Sequence, residues 1–292
     1  MRCFRPVRRF VYTKGSDFGV EMWVPCKKCP ACLSNRARVW TSRLQDELSC
    51  YDKACFITLT YTEEELSEIV DNYGSATLVK RHLQLFWKSF RKDIAKRFNG
   101  RLIRYFAVGE YGEENERPHY HAIVFNLSPD EADSLIRDNW TRGFVCVGSC
   151  TVASIAYVSR YVMKKLFGPE KSKYIATGRV PPFQVSSNRP GIGYNYLKAN
   201  CEHLYRDGYD VKDGKKVALP EYYKKFLFGE EEKQAILLRA AEVSQNLESD
   251  ISRRVKDVFF FDKSEKYQRD LNAQRERQYK ELTQARGKRG KL

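Results

Sequence analysis

Long apolar runs, internal repeats and histidine are absent or scarce in this chain of 292 residues, which has only four histidines. No apolar stretch is long enough to span a bilayer, and the N-terminal sequence MRCFRPVRRF does not resemble a signal peptide, so we expect no membrane segment. There is no Walker A pattern, which argues against an ATPase of the P-loop type. Aromatic residues make up 13% and hydrophobic residues 42% of the chain, enough for a folded core.

Acidic residues are outnumbered by basic ones, at 37 against 52, which gives a formal net charge of +15. A surplus of this size indicates a polyanionic partner, most simply nucleic acid. An anionic membrane is the competing partner, but the lack of a long apolar stretch does not favour it. The composition therefore predicts a protein that binds nucleic acid.

Nine cysteines are an odd number, and no secretion signal accompanies them, so we expect no disulfide framework. Cys26, Cys29 and Cys32 fall at C-x2-C-x2-C spacing in CKKCPAC, and Cys3 is a possible fourth ligand. This spacing predicts a structural zinc site that fixes the N-terminal segment. An iron–sulfur cluster has similar spacing and stays open as an alternative, as do ordinary free thiols.

Hydrophobic periodicity predicts an α+β fold, an antiparallel sheet with helices packed on one face. The predicted strands are 55–61, 102–112, 117–125 and 143–150, and the predicted helices follow CKKCPAC and lie at 77–98, 128–140 and 154–167. Four segments are expected: a cysteine-rich, zinc-bound segment with a basic helix at 1–50, the core at 51–170, a turn-rich accessory segment at 171–228, and a polar, basic, helical tail at 229–292.

The helix at 77–98 carries seven basic residues outside its apolar stripe, opposed only by Asp93. Such an imbalance on one helix favours a surface that follows phosphates over an ordinary solvated face. The helix after CKKCPAC adds further arginines. The predicted DNA contacts on the two helices are Arg36, Arg43, Lys88, Arg91 and Lys92.

Two of the four histidines stand one residue apart in RPHYHAIVF, directly before an apolar run. Side chains at this spacing on a β-strand point to the same face, so His119 and His121 would present two imidazoles side by side. If the preceding strand pairs with this one, the carboxylate of Glu110 can reach both rings. Two nitrogens and one oxygen with open positions suit Mg²⁺ or Mn²⁺ better than structural zinc.

The helix at 154–167 offers candidate nucleophiles. Tyr157 and Tyr161 are four residues apart and therefore lie on one helical face, and Lys164 and Lys165 follow one turn later. Packing is the ordinary explanation of such a tyrosine pair. However, other residues already supply an apolar stripe on this helix, and paired lysines after two polar-tipped rings fit a pure core stripe less well.

In order along the chain, FITLTY, GEYG with PHYHAIVF, and YVSRYVMKK resemble the three motifs of the HUH endonucleases, the initiators of rolling-circle replication. CKKCPAC, NRPGIGYNYLK and LPEYYKK resemble more narrowly the initiators of gokushovirus-type microviruses, which are small single-stranded DNA phages. The resemblance runs from Cys3 to about Lys225. It implies an HUH-type antiparallel sheet with flanking helices and a ferredoxin- or RRM-like core.

The resemblance also implies a DNA-nicking and strand-transfer activity. His119, His121 and Glu110 would hold Mg²⁺ or Mn²⁺ at the scissile phosphate, and Tyr157 or Tyr161 would attack it to leave a 5′-phosphotyrosine and a free 3′-hydroxyl. Lys164 or Lys165 would favour the phenolate and hold phosphate oxygens. The implied partners are single-stranded DNA, the replication origin, and a host polymerase and helicase, in the cytoplasm of a bacterial host.

Three other functions stay open on the sequence alone. A plasmid-mobilisation relaxase would use the same chemistry in another setting. A non-catalytic single-strand-binding protein would explain the charge and the 18 tyrosines but not the histidines, Glu110 and the tyrosine pair together. A zinc hydrolase would need a further protein ligand and would leave the tyrosine helix unexplained.

Overall fold

The computed structural model describes residues 3–12, 18–112, 114–167 and 170–254, with residues 273, 276 and 277, and leaves out the side chains of residues 160–171, 173 and 246–254. The chain divides into two compact units, one from Met1–Leu33 with Lys224–Leu292 and the other from Ser34–Tyr223. A membrane crossing would need a longer and more apolar helix than any in the described part of the chain.

The helices and strands alternate along the chain without a repeating pattern. The strands are β1 (Val7–Tyr12), β2 (Gly19–Val24), β3 (Ala54–Leu59), β4 (Arg104–Tyr111), β5 (Pro118–Phe125), β6 (Val145–Ser149), β7 (Phe183–Ser186), β8 (Tyr209–Lys212) and β9 (Lys215–Ala218). The helices are α1 (Pro30–Leu48), α2 (Glu63–Glu68), α3 (Lys80–Arg97), α4 (Pro129–Asn139), α5 (Val152–Phe167), α6 (Glu170–Ala176), α7 (Tyr194–Ala199), α8 (Cys201–Asp207), α9 (Glu221–Leu227) and α10 (Glu230–Arg254).

The centre of the larger unit is an antiparallel sheet whose described strands have the order β6-β3-β5-β4-β7. The α+β class and the antiparallel pairing of β4 with β5 are therefore confirmed. The register places Glu110 directly opposite His119 and places Val108 opposite His121. On the other side of β5, Thr58 of β3 lies opposite His121.

Helices cover both faces of this sheet, so the prediction that they pack on one face is wrong. On one face, α3 and α4 bury Ile57 and Val124 in a large apolar cluster. On the other face, Ile123 packs in a second cluster with Ala37 of α1 and Ile155 of α5. The physical reason is visible in the central strands, because β4 and β5 are apolar on both faces instead of alternating, as strands covered on both sides must be.

The predicted capped helix is confirmed as α4. Ser128 is its N-cap: the Glu131 backbone N–H donates to the Ser128 hydroxyl over 3.3 Å, and the Ser128 N–H donates to the Glu131 carboxylate over 3.0 Å. This reciprocal capping box satisfies two of the free N–H groups at the start of the helix. The sequence SPDE at 128–131 was a sufficient signal for it.

The edge strand β7 was not anticipated, because it lies within the segment predicted to be turn-rich. It pairs antiparallel with β4, with Val185 opposite Ala107. It has only four residues and follows Pro181 and Pro182, so local periodicity could not reveal it.

The smaller unit contains a β1–β2 hairpin that packs against α10, and the Trp23 N–H donates to the Ser244 hydroxyl over 3.0 Å. The predicted helical tail begins at Glu230 with α10. The C-terminal sequence RGKRGKL lies outside the described residues.

Candidate active site

The two histidines and the glutamate come together on the face of the sheet that α5 covers. The Nε2 atoms of His119 and His121 lie 3.4 Å and 3.2 Å from Oε1 of Glu110. One potential ligand atom from each residue lies within 4.8 Å of the other two. The strand register produces this arrangement, because residues one apart on β5 share a face and Glu110 lies opposite the first of them.

Both imidazoles are held from behind, through Nδ1. The Nδ1 of His119 lies 3.0 Å from the carbonyl oxygen of Arg117, and since a carbonyl can only accept, this nitrogen carries the proton. The Nδ1 of His121 lies 2.9 Å from the hydroxyl of Thr58 on the neighbouring strand. These contacts leave the Nε2 atoms directed at Glu110. Metal-binding histidines are typically oriented in this way.

Glu110 is a buried carboxylate without a satisfactory partner. It is only 2% exposed, and neither of its oxygens has a hydrogen-bond partner among the described residues, since the approaches to the imidazoles lack hydrogen-bond geometry. Burial opposes its ionisation, but the nearby imidazoles of His119 and His121 outweigh burial and lower its pKa to about 2. An ionised and unpaired carboxylate is costly to bury. The three residues therefore fit a divalent cation that takes two nitrogens and one oxygen and leaves other positions open.

Aromatic rings form one side of this centre. Phe56 of β3 stacks on the His121 ring, with centroids 5.5 Å apart and an interplanar angle of 23°. Tyr157 of α5 meets the His121 ring edge-on, with centroids 5.5 Å apart and planes at 86°. Tyr157 is 39% exposed. Its phenol therefore belongs to the rim of the histidine–glutamate centre and is open to solvent.

The other predicted residues of the tyrosine helix are Tyr161, Lys164 and Lys165. All three lie on α5, but their side chains are outside the described residues. Only Tyr157 can therefore be placed against the histidines.

Sequence reasoning missed Thr58 and Phe56, which hold the His121 ring from two sides. Both belong to FITLTY, the first of the three motifs, so the signal was present. It could not be interpreted, because the pairing of β3 with β5 is a long-range contact that no local pattern reveals.

A second cluster of candidate ligands lies in the smaller unit, where Cys3, Cys26, Cys29 and Cys32 bring their Sγ atoms within 4.8 Å of one another. The Sγ atoms of Cys3 and Cys29 are 3.7 Å apart and those of Cys26 and Cys32 are 4.0 Å apart, too far for disulfides. Burial raises the pKa of Cys26, but the backbone N–H groups of Lys28 and Cys29 outweigh it and lower the pKa to about 7. A thiol that ionises this readily suits a metal ligand.

Backbone amides also donate to the sulfur atoms of this cluster. The Phe4 N–H donates to the Cys29 sulfur over 3.4 Å, and the Cys26 N–H donates to the Cys3 sulfur over 3.2 Å. Such bonds stabilise negative charge on the acceptor, as a thiolate requires. The structure thus brings Cys3 to the C-x2-C-x2-C group, as its prediction as a fourth ligand requires.

The basic residues of α3 face solvent, whereas those of α1 do not. Lys88, Arg91 and Lys92 are exposed, and Asp93, the one acid among them, is half-buried beside Asn139, whose amide donates to it over 2.9 Å. On α1, Arg36 is half-buried.

Arg43, also on α1, is engaged within the protein. Its guanidinium lies between the rings of Trp40 and Tyr222, at 4.4 Å and 4.2 Å from their centroids. It also donates to the carbonyl oxygen of Ile192. The DNA contacts predicted for Arg36 and Arg43 stay predictions, and the exposed cations are those of α3.

Known proteins resemble this chain over most of its length. The replication-associated protein VP4 of Bdellovibrio phage phiMH2K is 30% identical over 248 residues, which are 76% of either chain. The chain belongs to the family of phage replication-associated proteins. The family model for replication-associated protein ORF2 matches residues 54–166, which contain Glu110, both histidines and Tyr157. The relationship predicted from the motifs is confirmed at this level.

Further replication-associated proteins show the same relationship. ORF2 of Spiroplasma virus 4 is 31% identical over 232 residues, 73% of this chain and 70% of its own. ORF4 of Chlamydia phage 1 is 25% identical over 223 residues, 70% of this chain and 53% of its own. No solved structure matches the chain.

Proposed function

We propose that this replication-associated protein is an HUH-type endonuclease and strand transferase that starts and ends rolling-circle replication of a single-stranded DNA phage genome. The observation that carries the proposal is the position of Tyr157, whose ring touches His121 at the rim of a buried, unpaired Glu110. A nucleophile beside a cation site open on one side is what phosphoryl transfer needs. The family supports the setting, since its members are named for replication.

His119, His121 and Glu110 would hold Mg²⁺ or Mn²⁺. When bound, such an ion polarises the phosphoryl oxygens and stabilises the charge that develops on them. The chain's own contribution is to fix the ligands, through the Arg117 carbonyl behind one ring and the Thr58 hydroxyl behind the other. A rigid sheet suits this task better than a loop.

The reaction balances with a tyrosine as the nucleophile. The phenolate oxygen attacks the scissile phosphorus, the bond from phosphorus to the 3′ oxygen breaks, and that oxygen takes a proton to become a free hydroxyl. The phosphorus stays bonded to the tyrosine as a 5′-phosphotyrosine. Because tyrosine has a pKa near 10 in water, an ammonium nearby would help it ionise, and we assign this role to Lys164 or Lys165.

Two tyrosines allow one chain to finish the cycle. After the first cleavage, one tyrosine stays bonded to the 5′ end of the displaced strand, and the regenerated origin must be cut by another nucleophile. Tyr161 lies four residues after Tyr157, about 6 Å further along α5 on the same helical face. The polymerase and the helicase would come from the host, because the sequence has no Walker A pattern. The protein would then act in the host cytoplasm.

We also propose that the four cysteines bind one structural zinc. Four sulfur ligands close a tetrahedral shell and leave no position for a substrate. The zinc would fix the N-terminal segment, where CKKCPAC runs directly into α1.

The decisive experiment is to map a covalent adduct. The protein is incubated with single-stranded DNA carrying the origin of its own genome and with Mn²⁺, the mixture is digested with protease, and the DNA-linked peptide is identified by mass spectrometry. We expect a peptide containing Tyr157 or Tyr161. Tyr157→Phe and Tyr161→Phe should each keep some single cleavage, and the double variant should form no adduct while still binding DNA.

Tyr73→Phe is the control, because Tyr73 is exposed and lies far along the chain from α5. It should form the adduct as the unchanged protein does. A DNA-linked peptide that lacks both tyrosines would overturn the mechanism. Binding without any adduct would favour the non-catalytic single-strand-binding protein.

A further inference from the structure

The larger unit contains a groove of about 700 Å³ at the β7 edge of the central sheet. This volume lies within the range of ligand-binding pockets, about 300–1,000 Å³. The groove reaches β4 at Tyr105, five residues from Glu110. Five residues along a strand span about 17 Å, and side chains at an odd spacing point to opposite faces. The groove is thus separate from the histidine–glutamate centre.

One side of the groove is an unpaired strand edge. The Ser187 N–H donates to the Tyr105 carbonyl over 3.0 Å, so Ser187 directs its backbone toward β4. Antiparallel ladders alternate, and the backbone groups of Gln184 and Ser186 therefore point away from β4. No other strand in the described part of the chain pairs with β7 on that side. Gln184 and Ser186 line the groove and offer it backbone donors and acceptors.

Aromatic rings contribute much of the remaining wall, including Trp40, Tyr222, Tyr105 and Trp87. Trp87 and Tyr105 stack on each other at 3.8 Å with planes 13° apart. Trp87 is only 2% exposed, yet its indole N–H has no hydrogen-bond partner among the described residues. Buried donors are nearly always paired, so an unpaired one in a groove wall indicates a missing acceptor.

The charge of the groove has one sign. Lys80 and Arg91 of α3 line it and are both exposed, and no lining residue is acidic. Ring faces stack nucleobases, cations neutralise phosphates, and a free strand edge can hydrogen-bond to the edge of a base. A base in a duplex has its pairing edge occupied, so the complementary ligand is an unpaired nucleotide. An acidic peptide would match the charge but would leave the ring faces without a use.

We infer that this groove binds one unpaired nucleotide of the origin strand, a few nucleotides away from the phosphate that is cut. The base enters between the aromatic wall and the edge of β7, and its phosphate lies at Lys80 and Arg91. The inference rests on the proposed function in taking DNA as the ligand. It adds a place where the protein selects sequence, separate from the place where it cuts.

The test is a binding assay that involves no cleavage. Fluorescence anisotropy measures the affinity for a single-stranded oligonucleotide of the origin in the presence of EDTA, and each nucleotide in turn is replaced by an abasic one. In the unchanged protein, one abasic position outside the cut site should weaken binding by about tenfold, the size of one lost base-stacking contact.

Three variants carry the same change in net charge on the same helix. Gln84→Glu places an acid in the groove, Arg91→Gln removes a cation from it, and Lys96→Gln removes an exposed cation outside it. We expect Gln84→Glu and Arg91→Gln to weaken binding by about tenfold and to abolish the penalty of the abasic position. Lys96→Gln should weaken binding about threefold at most and leave that penalty intact. Unchanged thermal unfolding checks that each variant is folded.

Equal losses in all three variants, or the same abasic penalty in each, would overturn the inference. Displacement of a bound acidic peptide, with single-stranded DNA failing to compete, would overturn it too. Failure here is distinguishable from failure of the proposed function. A protein that forms the tyrosine adduct but shows no groove-dependent abasic penalty keeps its nuclease activity and loses only this site.

Discussion

The cysteine cluster and the histidine–glutamate centre differ in how many ligand atoms they offer and in what lies beside them. Four sulfurs stand within 4.8 Å of one another and receive N–H donors from their own loops. The other centre has only three ligands, one of them a carboxylate with no hydrogen-bond partner among the described residues, and the Tyr157 ring lies at its rim.

This difference bears on function, because ligand number and access separate structural metals from reactive ones. A closed tetrahedral shell contributes folding energy and admits no substrate, whereas a centre with open positions can accept a phosphate oxygen. The contrast predicts that the two centres fail in different ways. Damage to the histidine–glutamate centre should remove chemistry and spare the fold, and damage to the cysteine cluster should do the reverse.

The largest expected effect is on cleavage in His121→Ala. Metal activation contributes several kcal/mol of charge stabilisation, so the cleavage rate should fall by about a thousandfold or more. DNA affinity should change little, because it comes mainly from Lys and Arg contacts to phosphate. Cleavage is measured on labelled single-stranded DNA with Mn²⁺, and His203→Ala, on α8, is the control.

A chelator should reproduce this loss in the unchanged protein, and added Mn²⁺ or Mg²⁺ should reverse it. His119→Ala should behave as His121→Ala does. If His121→Ala cleaves at an undiminished rate, the centre is not the reactive one and the contrast with the cysteine cluster collapses.

The next effect is on stability in Cys29→Ser. The purified protein should carry about one zinc, and this variant should lose it. Its free energy of unfolding should fall by about 3 kcal/mol or more, a small part of the roughly 10–16 kcal/mol with which such sites bind zinc. Metal analysis and denaturant unfolding provide the measurements, with Cys201→Ser, an exposed cysteine outside the cluster, as the control.

Cleavage by Cys29→Ser, measured where the variant is folded, should fall far less than in His121→Ala. Iron and sulfide in the purified protein would replace zinc with an iron–sulfur cluster. A well-folded protein without any metal would remove the structural role altogether.

Local patterns were enough to find both clusters. The same-face position of His119 and His121 follows from the two-residue period of a strand, and the cysteine spacing is visible in CKKCPAC. The approach of Glu110 followed from one further step, the pairing of two consecutive strands, which are neighbours in most sheets. The register in the structure confirms that pairing.

What sequence reasoning missed depends on contacts between distant parts of the chain. The edge strand β7 joins β4 across more than seventy residues, and the groove exists only because it does. The second helical layer was missed because β4 and β5 were interpreted as half-buried strands. Thr58 was visible in its motif, but its role needs the register of β3 against β5, which puts it opposite His121.

The smallest expected effect tests that residue, in Thr58→Val. Valine keeps the shape and the strand preference of threonine but loses the hydroxyl that lies 2.9 Å from Nδ1 of His121. Groups that orient a metal ligand from behind typically contribute about 10–100-fold to metal affinity. The Mn²⁺ concentration for half-maximal cleavage should therefore rise by about that factor, while the rate at saturating Mn²⁺ stays closer to that of the unchanged protein.

Thr60→Val is the matched control, because the Thr60 hydroxyl donates to the Phe144 carbonyl over 3.3 Å and does not touch the histidines. It should leave the Mn²⁺ dependence unchanged. Equal Mn²⁺ titrations for both variants would mean that Thr58 does not orient His121. A loss of cleavage in Thr58→Val that saturating Mn²⁺ fails to restore would mean that the hydroxyl acts on the chemistry itself. The expected result would instead extend the contrast between the two centres to their supports: backbone amides stabilise the sulfur ligands, whereas a side chain on a neighbouring strand positions an imidazole so that it binds the metal and leaves a position for the phosphate.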